Sequence, residues 1–580
     1  MKRLEGLNGM AKRFPTIAVI GLGTTGSVLA SMVARSGRRV IAVDTDASAL
    51  ERAGARLADA GPGTVDLTTC PADIASADLV IEAVPERMAT KCEVLRHADH
   101  ACAPDTVFAT TTTGLSVTDL AFGAGRPRRT VGLHLFPQGP TDRATAVEVV
   151  GTPLTDDSVR TDIQALIHDL GQVPVPVPDR AGFVGGALTM AYLNDAATMY
   201  EQRYASRDGI DTAMRLGCGL PRGPLAHLDA IGLDVARDTL HALYERTGER
   251  RFLPAPVLMH MVAAGLLGSK AGRGFYDYDS PDADAAADPS DALPAARPVR
   301  RIGVVGSGTM ATGIAETCAR AGYPTTLVAR SEVRAKEALA AVEHSLNRSV
   351  QRGRLTPEQF ASSMESLTGA SGLEAVAGCD LVVEAVVEDL DVKRTVFGEL
   401  DSVCGAQTVL ATSTSSLPVI ECAMATGRPE AVVGMHFFNP APVMKLVEVV
   451  RTALTSRETL AVAHTTATAL GKRPVGCADR SGFIVNALLF PYLNSAVALL
   501  DEGIVTAEGI DTVMAQGQGY PMGPLQLLDV IGLDVSVAIL RTLHTTFREP
   551  CLLPSRPLEQ LVAAGHLGRK RGQGLRRHER

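Results

Sequence analysis

Short apolar runs ending in glycine-rich turns alternate with stretches of helical period, and this pattern appears twice along the chain. Ile17-Ala18-Val19-Ile20 and Ile302-Gly303-Val304-Val305 are uninterrupted rather than alternating, as strands buried on both faces are. Each leads through a glycine cluster into an amphipathic stretch, 28–36 and 313–321. Further apolar runs follow at 79–84 and 381–386, and then the helical period takes over for about a hundred residues. The expected class is α/β: a parallel sheet followed by an all-helical domain, duplicated in tandem.

The duplication is legible residue by residue. Gly182-Phe183 recurs as Gly482-Phe483, Tyr192-Leu193-Asn194 as Tyr492-Leu493-Asn494, and Gly223-Pro224-Leu225 as Gly523-Pro524-Leu525. Between the copies, residues 280–298 are rich in Ala, Asp and Pro without apolar period, as a linker is. The expected divisions are a dinucleotide-binding domain at 16–178, a helical domain at 179–279, the linker, a second dinucleotide-binding domain at 299–477 and a second helical domain at 478–580.

Gly21, Gly23 and Gly26 in the first copy, and Gly306, Gly308 and Met310 in the second, lie in the strand–turn–helix setting of a Rossmann-like nucleotide site. There the glycines let the backbone approach a pyrophosphate, and unpaired N–H groups of the helix N-terminus receive it.

Composition narrows the partners. A net charge of −8 lacks the basic excess that phosphate neutralisation needs, so nucleic acid is not expected. The longest apolar stretch, 482–500, is broken by Asn486, Pro491, Asn494 and Ser495 and reads as a core or interface helix, not a membrane span. The ten cysteines form no C-x-x-C pair, which speaks for reduced thiols and no metal site. The polar first fifteen residues lack a secretory core, and a cytoplasmic location is expected.

The segment Gly434-Met435-His436-Phe437-Phe438-Asn439-Pro440, with Lys445-Leu446-Val447-Glu448-Val449-Val450 after it, resembles the 3-hydroxyacyl-CoA dehydrogenase family. Glu384 to Glu388 with Lys393, Ala411 to Leu417, and Gly482 to Asn486 extend the likeness to nearly the whole chain. The resemblance implies that His436 exchanges a proton with the C3 oxygen of an acyl-CoA thioester while Glu448 orients the ring and stabilises its cation. It implies that Ser415 and Asn486 hold the substrate oxygens and that Glu388 and Lys393 contact the cofactor. It also implies an internal pseudo-dimer of the two copies, with further homo-oligomerisation left open.

The copies differ where the chemistry would be. The first keeps His134 and Glu148, but Thr113 stands for Ser415, Gly186 for Asn486, and two residues are inserted before Glu148. From Asp44 to Glu82 there are 38 positions, against 55 from Ala329 to Glu384. The family resemblance places a coenzyme A-contacting helical hairpin in that region, and only the second copy has room for it, around 335–366. The first copy is therefore expected to bind dinucleotide and to handle acyl-CoA poorly.

Cofactor preference is expected to differ as well. Asp44 ends the second strand of the first copy, where a carboxylate favours NAD by accepting from a ribose and repelling a 2′-phosphate. Ala329 and Arg330 occupy that place in the second copy, which leans it toward NADP. The sequence leaves open a carrier-protein thioester or another hydroxyacid as substrate, a non-catalytic binding protein, and turnover at both sites.

Overall fold

The computed structural model describes residues 13–58, 61–136, 144–280, 293–503 and 505–578. Each copy opens on an eight-stranded sheet. In the first, β1 (Thr16–Ile20), β2 (Arg39–Val43), β3 (Val65–Thr68), β4 (Leu79–Glu82), β5 (Val107–Thr111), β6 (Thr130–Leu135), β7 (Ala146–Gly151) and β8 (Val173–Pro178) run in the order 3-2-1-4-5-6-7-8. The second repeats this order with β9 (Ile302–Val305), β10 (Thr325–Ala329), β11 (Leu367–Ser371), β12 (Leu381–Glu384), β13 (Val409–Thr412), β14 (Val432–Phe437), β15 (Leu446–Arg451) and β16 (Arg473–Ala478).

All pairings are parallel except β6 with β7 and β14 with β15. The apolar runs read from the sequence are these central strands, buried on both faces. Pro174, Pro176 and Pro178 alternate along β8, an edge strand, where missing N–H groups cost no ladder bond. Strand order reverses between β1 and β4, and between β9 and β12, so a crevice opens beyond their carboxyl ends.

The helix after each glycine turn starts earlier than its apolar period suggested, at Thr24 and Thr309. Gly26 and Met310 therefore lie in the first helical turn. A Cβ at Gly26 would stand 1.8 Å from the Gly21 carbonyl oxygen, so this glycine serves close packing. The second copy has Ala311 there, and the Gly306 turn is correspondingly wider, with φ +137° against +91° at Gly21.

Between β10 and β11 the second copy builds a hairpin of two helices, Glu332–Gln351 and Pro357–Glu365. Ser331 caps the first helix, and Thr356 with Gln359 forms a capping box on the second. The first copy has a single helix there, Ala47–Leu57.

The helical halves pack on one another. Helix Gly185–Glu201 lies against Val485–Asp501, and one continuous apolar core takes Leu188 and Leu193 from the first and Leu488 and Leu493 from the second. The apolar stretch at 482–500 is thus an interface helix, and no helix among the described residues is long and apolar enough to cross a membrane. Polar contacts key the seam: Gln518 Nε2 donates to Thr189 Oγ1 (3.0 Å), Arg251 Nη1 to Ser495 Oγ (2.7 Å) and Arg480 Nη1 to Gln202 Oε1 (3.0 Å), while Arg180 pairs with Glu502.

Asp195 sits in this seam. Burial pushes its carboxyl up to about 7, against the pull of Arg251 and Arg480 and with a small push from Glu549. Between the ordinary carboxylate value and 7 the folded chain holds a proton that the unfolded chain has released, so this group's contribution to stability falls as pH rises through that window. Melting of wild type and Asp195→Asn from pH 4 to 8 should show the wild type losing ground progressively up to pH 7 and no further above it. A pH-independent difference would contradict this.

The closing segments of both copies fold onto buried aspartates. Phe275 and Tyr276 N–H groups donate to Asp229, and those of Leu575 and Arg576 to Asp529. Tyr276 Oη also donates to Asp211 (2.9 Å), a task that Arg576 takes over toward Asp511 (2.6 Å) in the second copy.

Candidate active site

The antiparallel pairing of β14 with β15 sets His436 directly across from Glu448. The ring Nδ1 meets Glu448 Oε2 at 2.7 Å, with Glu448 fully buried and His436 nearly so. Glu448 Oε1 accepts the N–H groups of Ile484 (3.0 Å) and Val485 (2.9 Å), where the chain enters the helical half. These donors satisfy the second oxygen of a buried carboxylate and lock its rotamer. With Nδ1 engaged, Nε2 is the nitrogen left to exchange a proton with a substrate.

Two aromatic rings frame the imidazole: Phe438 at 4.4 Å between centroids and Phe483 at 5.5 Å. Phe483 is fully buried and adopts φ +48°, directly after Gly482 at +78°. A left-handed phenylalanine is strained, and the tight entry into helix Val485–Asp501 holds it there.

Ser415 follows β13 at the same end of the sheet. Its N–H (2.7 Å) and hydroxyl (3.0 Å) both donate to Glu388 Oε1, which also accepts from Thr414 Oγ1 (2.7 Å). Burial opposes ionisation of Glu388, but Lys393 and the Thr414 and Ser415 donors outweigh it and hold the carboxyl below its usual range. Asn486 Nδ2 donates to the Ser415 carbonyl (3.0 Å). Since Asn486 follows Val485, the sequence-derived residues His436, Glu448, Ser415 and Asn486 form one connected cluster.

Lys393 is buried beside the two glutamates Glu384 and Glu388. Its side chain is only 1% exposed, and its ammonium bonds Glu384 at 2.8 and 3.0 Å, with Glu388 further off at 3.5 Å. The loop after Phe438 is held by a residue the sequence gave no reason to single out: Lys472 Nζ donates to the carbonyls of Ala441 (2.5 Å) and Met444 (2.9 Å). Burial pulls this amine down to about 8.

Both glycine turns fit a dinucleotide. Helices Thr24–Arg35 and Thr309–Arg320 begin without a side-chain cap, leaving N–H groups for a phosphate, and a Cβ at Gly23 or Gly308 would meet nothing within 4 Å. In the first copy a cleft of about 1080 Å³ is lined by Gly21, Gly23, Asp44, Ala83 and Val84 among others. Asp44 is oriented there by N–H donors from Leu22 (2.7 Å) and Asp46 (2.9 Å). In the second copy Ala329 is buried, and Arg330 projects exposed from the end of β10.

The first copy repeats half of the catalytic geometry. His134 Nδ1 lies 2.5 Å from Glu148 Oε2, and Glu148 Oε1 accepts from Val184 (2.9 Å) and Gly185 (3.1 Å). Thr113 N–H donates to Glu86 (2.9 Å) as that of Ser415 does to Glu388, but Gly186 has no side-chain amide to bond the Thr113 carbonyl. Phe136, equivalent to Phe438, is buried; its ring would stand 2.5 Å from a Cβ on Gly185 and 2.6 Å from one on Gly517. It packs between the modules beside His134 (4.6 Å between ring centroids), whereas Phe438 is half-buried. The segment that holds the two inserted residues, 137–143, lies outside the described residues.

Comparison with known proteins agrees with this layout. The family described as "3-hydroxyacyl-CoA dehydrogenase, NAD binding domain" matches residues 16–180 and 301–480, and "3-hydroxyacyl-CoA dehydrogenase, C-terminal domain" matches 182–278 and 482–578. A 3-hydroxybutyryl-CoA dehydrogenase of Mycobacterium tuberculosis is 43% identical over 279 residues, 48% of this chain and 98% of that protein. The human mitochondrial hydroxyacyl-coenzyme A dehydrogenase is 40% identical over 290 residues, 48% of this chain and 92% of its own. A crystal structure of 3-hydroxybutyryl-CoA dehydrogenase from Escherichia coli K12 covers 95% of this chain and 99% of its own with a TM-score of 0.65; at 24% identity the likeness is one of fold. With both families matched twice in tandem, the chain belongs to the 3-hydroxyacyl-CoA dehydrogenase family of NAD-dependent oxidoreductases acting on CH–OH groups.

Proposed function

We propose that the second module interconverts a 3-hydroxyacyl-CoA and its 3-oxoacyl counterpart, while the first binds dinucleotide without turning over acyl-CoA. The connected set of His436, Glu448, Ser415 and Asn486, complete in one copy and broken at Gly186 in the other, carries this reading. The bound nicotinamide supplies or accepts the hydride at C3. In the reductive direction His436 Nε2 hands a proton to the C3 oxygen, and Glu448 stabilises the imidazolium before that transfer. Ser415, polarised by the Glu388 carboxylate, and Asn486 hold the substrate oxygens in line with the ring.

The hairpin Glu332–Gln351 and Pro357–Glu365 is the element that the family resemblance assigns to coenzyme A contact, and among the described residues it occurs in the second module alone. Arg330 is exposed with room to pair with a 2′-phosphate, which favours NADPH and hence reduction; Asp44 favours NAD in the first module. Relatives named for 3-hydroxybutyryl-CoA make acetoacetyl-CoA the substrate of choice. Loss of reduced nicotinamide absorbance with acetoacetyl-CoA, and formation of 3-hydroxybutyryl-CoA, is the expected result. Absence of turnover with either NADPH or NADH would refute the assignment.

A further inference from the structure

Glu448 is anchored, on the side away from His436, by the N–H groups of Ile484 and Val485, and the wall behind those anchors belongs to the other module. Helix Arg207–Cys218 of the first module packs against β15 and β16 of the second. Gly217 comes so close that a Cβ there would stand 2.8 Å from Val485 Cγ2 and 3.1 Å from Leu446 Cδ2. Both side chains are buried, and Val485 is β-branched with little rotamer freedom in a helix, so neither has an easy way to yield.

The neighbouring residue reports the same proximity. Burial first, and the charge of Glu448 second, push the Cys218 thiol up to about 12. Two residues before this helix, Ala205 forms an isolated bridge with Cys477, and the Ala478 N–H donates to the Tyr204 carbonyl (3.1 Å), so the first module is tied by backbone contacts to the edge strand β16. In the second module's sheet Glu448 pairs with Val475 of β16.

We propose that helix Arg207–Cys218 of the first module is a positioning element for the second module's His436–Glu448 pair. Gly217 sets the place of the Val485 N–H, and that N–H sets Glu448. The inference rests on the assignment of His436 and Glu448 as the acid–base pair. It gives the first module a part in catalysis that does not require its own site to react. In the first module, by contrast, Phe136 packs against Gly517, the glycine equivalent to Gly217.

The full-length chain tests this. Gly217→Ala is expected to lower kcat about tenfold with little change in KM for either substrate, since a misplacement of about 1 Å at a reacting pair costs on the order of a hundredfold. Val485→Ile, which adds a methyl to the same contact from the opposite side, is expected to act alike. G217A combined with V485A restores the space and should recover most of the lost kcat, a rescue that general destabilisation would not give. Wild-type kcat in both single variants, or a double variant no faster than G217A, overturns the proposal. If the underlying assignment were at fault instead, His436→Ala would remain active, whereas failure of the positioning role alone leaves H436A inactive.

Discussion

His436→Ala is expected to lower kcat for acetoacetyl-CoA reduction by roughly 10²–10⁴-fold, the contribution of a positioned general acid, whereas His134→Ala should leave it unchanged. Both histidines face a glutamate across an antiparallel strand pair, at 2.7 Å and 2.5 Å, so the imidazole–carboxylate geometry alone does not separate the modules. The difference lies around the pair. Asn486 ties the second module's helix entry to the Ser415 carbonyl, while Gly186 has nothing to tie with. Phe438 stands partly exposed beside His436, while Phe136 is buried between Gly185 and Gly517. Initial rates of the two variants, measured at saturating acetoacetyl-CoA and NADPH, decide the matter. Loss of activity in H134A with retention in H436A would reverse the roles given to the modules.

Ala329→Asp is expected to shift the ratio of kcat/KM for NADPH over NADH downward by about ten- to a hundredfold, the worth of one charge-assisted contact of about 1.5–3 kcal/mol. The first module shows what the carboxylate does at this place. Asp44 accepts the Leu22 and Asp46 N–H groups and is held facing the crevice, where it can also accept from a ribose and repel a phosphate. In the second module the small, buried Ala329 leaves that corner neutral, with the Arg330 guanidinium beside it. Arg330→Ala should lower the same ratio without creating a preference for NADH as strong as the aspartate gives. Equal use of NADPH and NADH by the wild type would contradict the cofactor reading and leave the family assignment untouched.

Much of this was legible in the sequence because backbone demands are local. A strand, a glycine turn and a helix must follow one another in a nucleotide-binding unit, so Gly21, Gly23, Gly306 and Gly308 identify themselves, and the repeat doubles the signal. His436 and Glu448 were legible as a pair, and the antiparallel register of β14 and β15 explains their spacing. What remained hidden depends on contacts between distant segments. Nothing local marks Lys393 as a buried partner of Glu384, since a lysine reads as exposed until its carboxylate is found. Phe183 and Phe483 recur with the glycines before them, but their left-handed backbone beside the histidines shows only in three dimensions. Phe136 follows His134 as Phe438 follows His436; its burial against Gly517 depends on the packing of one module on the other.

Titration calorimetry on the full-length chain measures the division of labour most directly. Dinucleotide added alone should bind at two sites per chain, one for each glycine turn, with NAD filling the first module. Acetoacetyl-CoA added to the His436→Ala chain, saturated with both cofactors so that binding is seen without turnover, should then bind at one site per chain. Two acyl-CoA sites per chain would contradict the account, because the first module would then hold the substrate that its missing hairpin and Gly186 are argued to exclude.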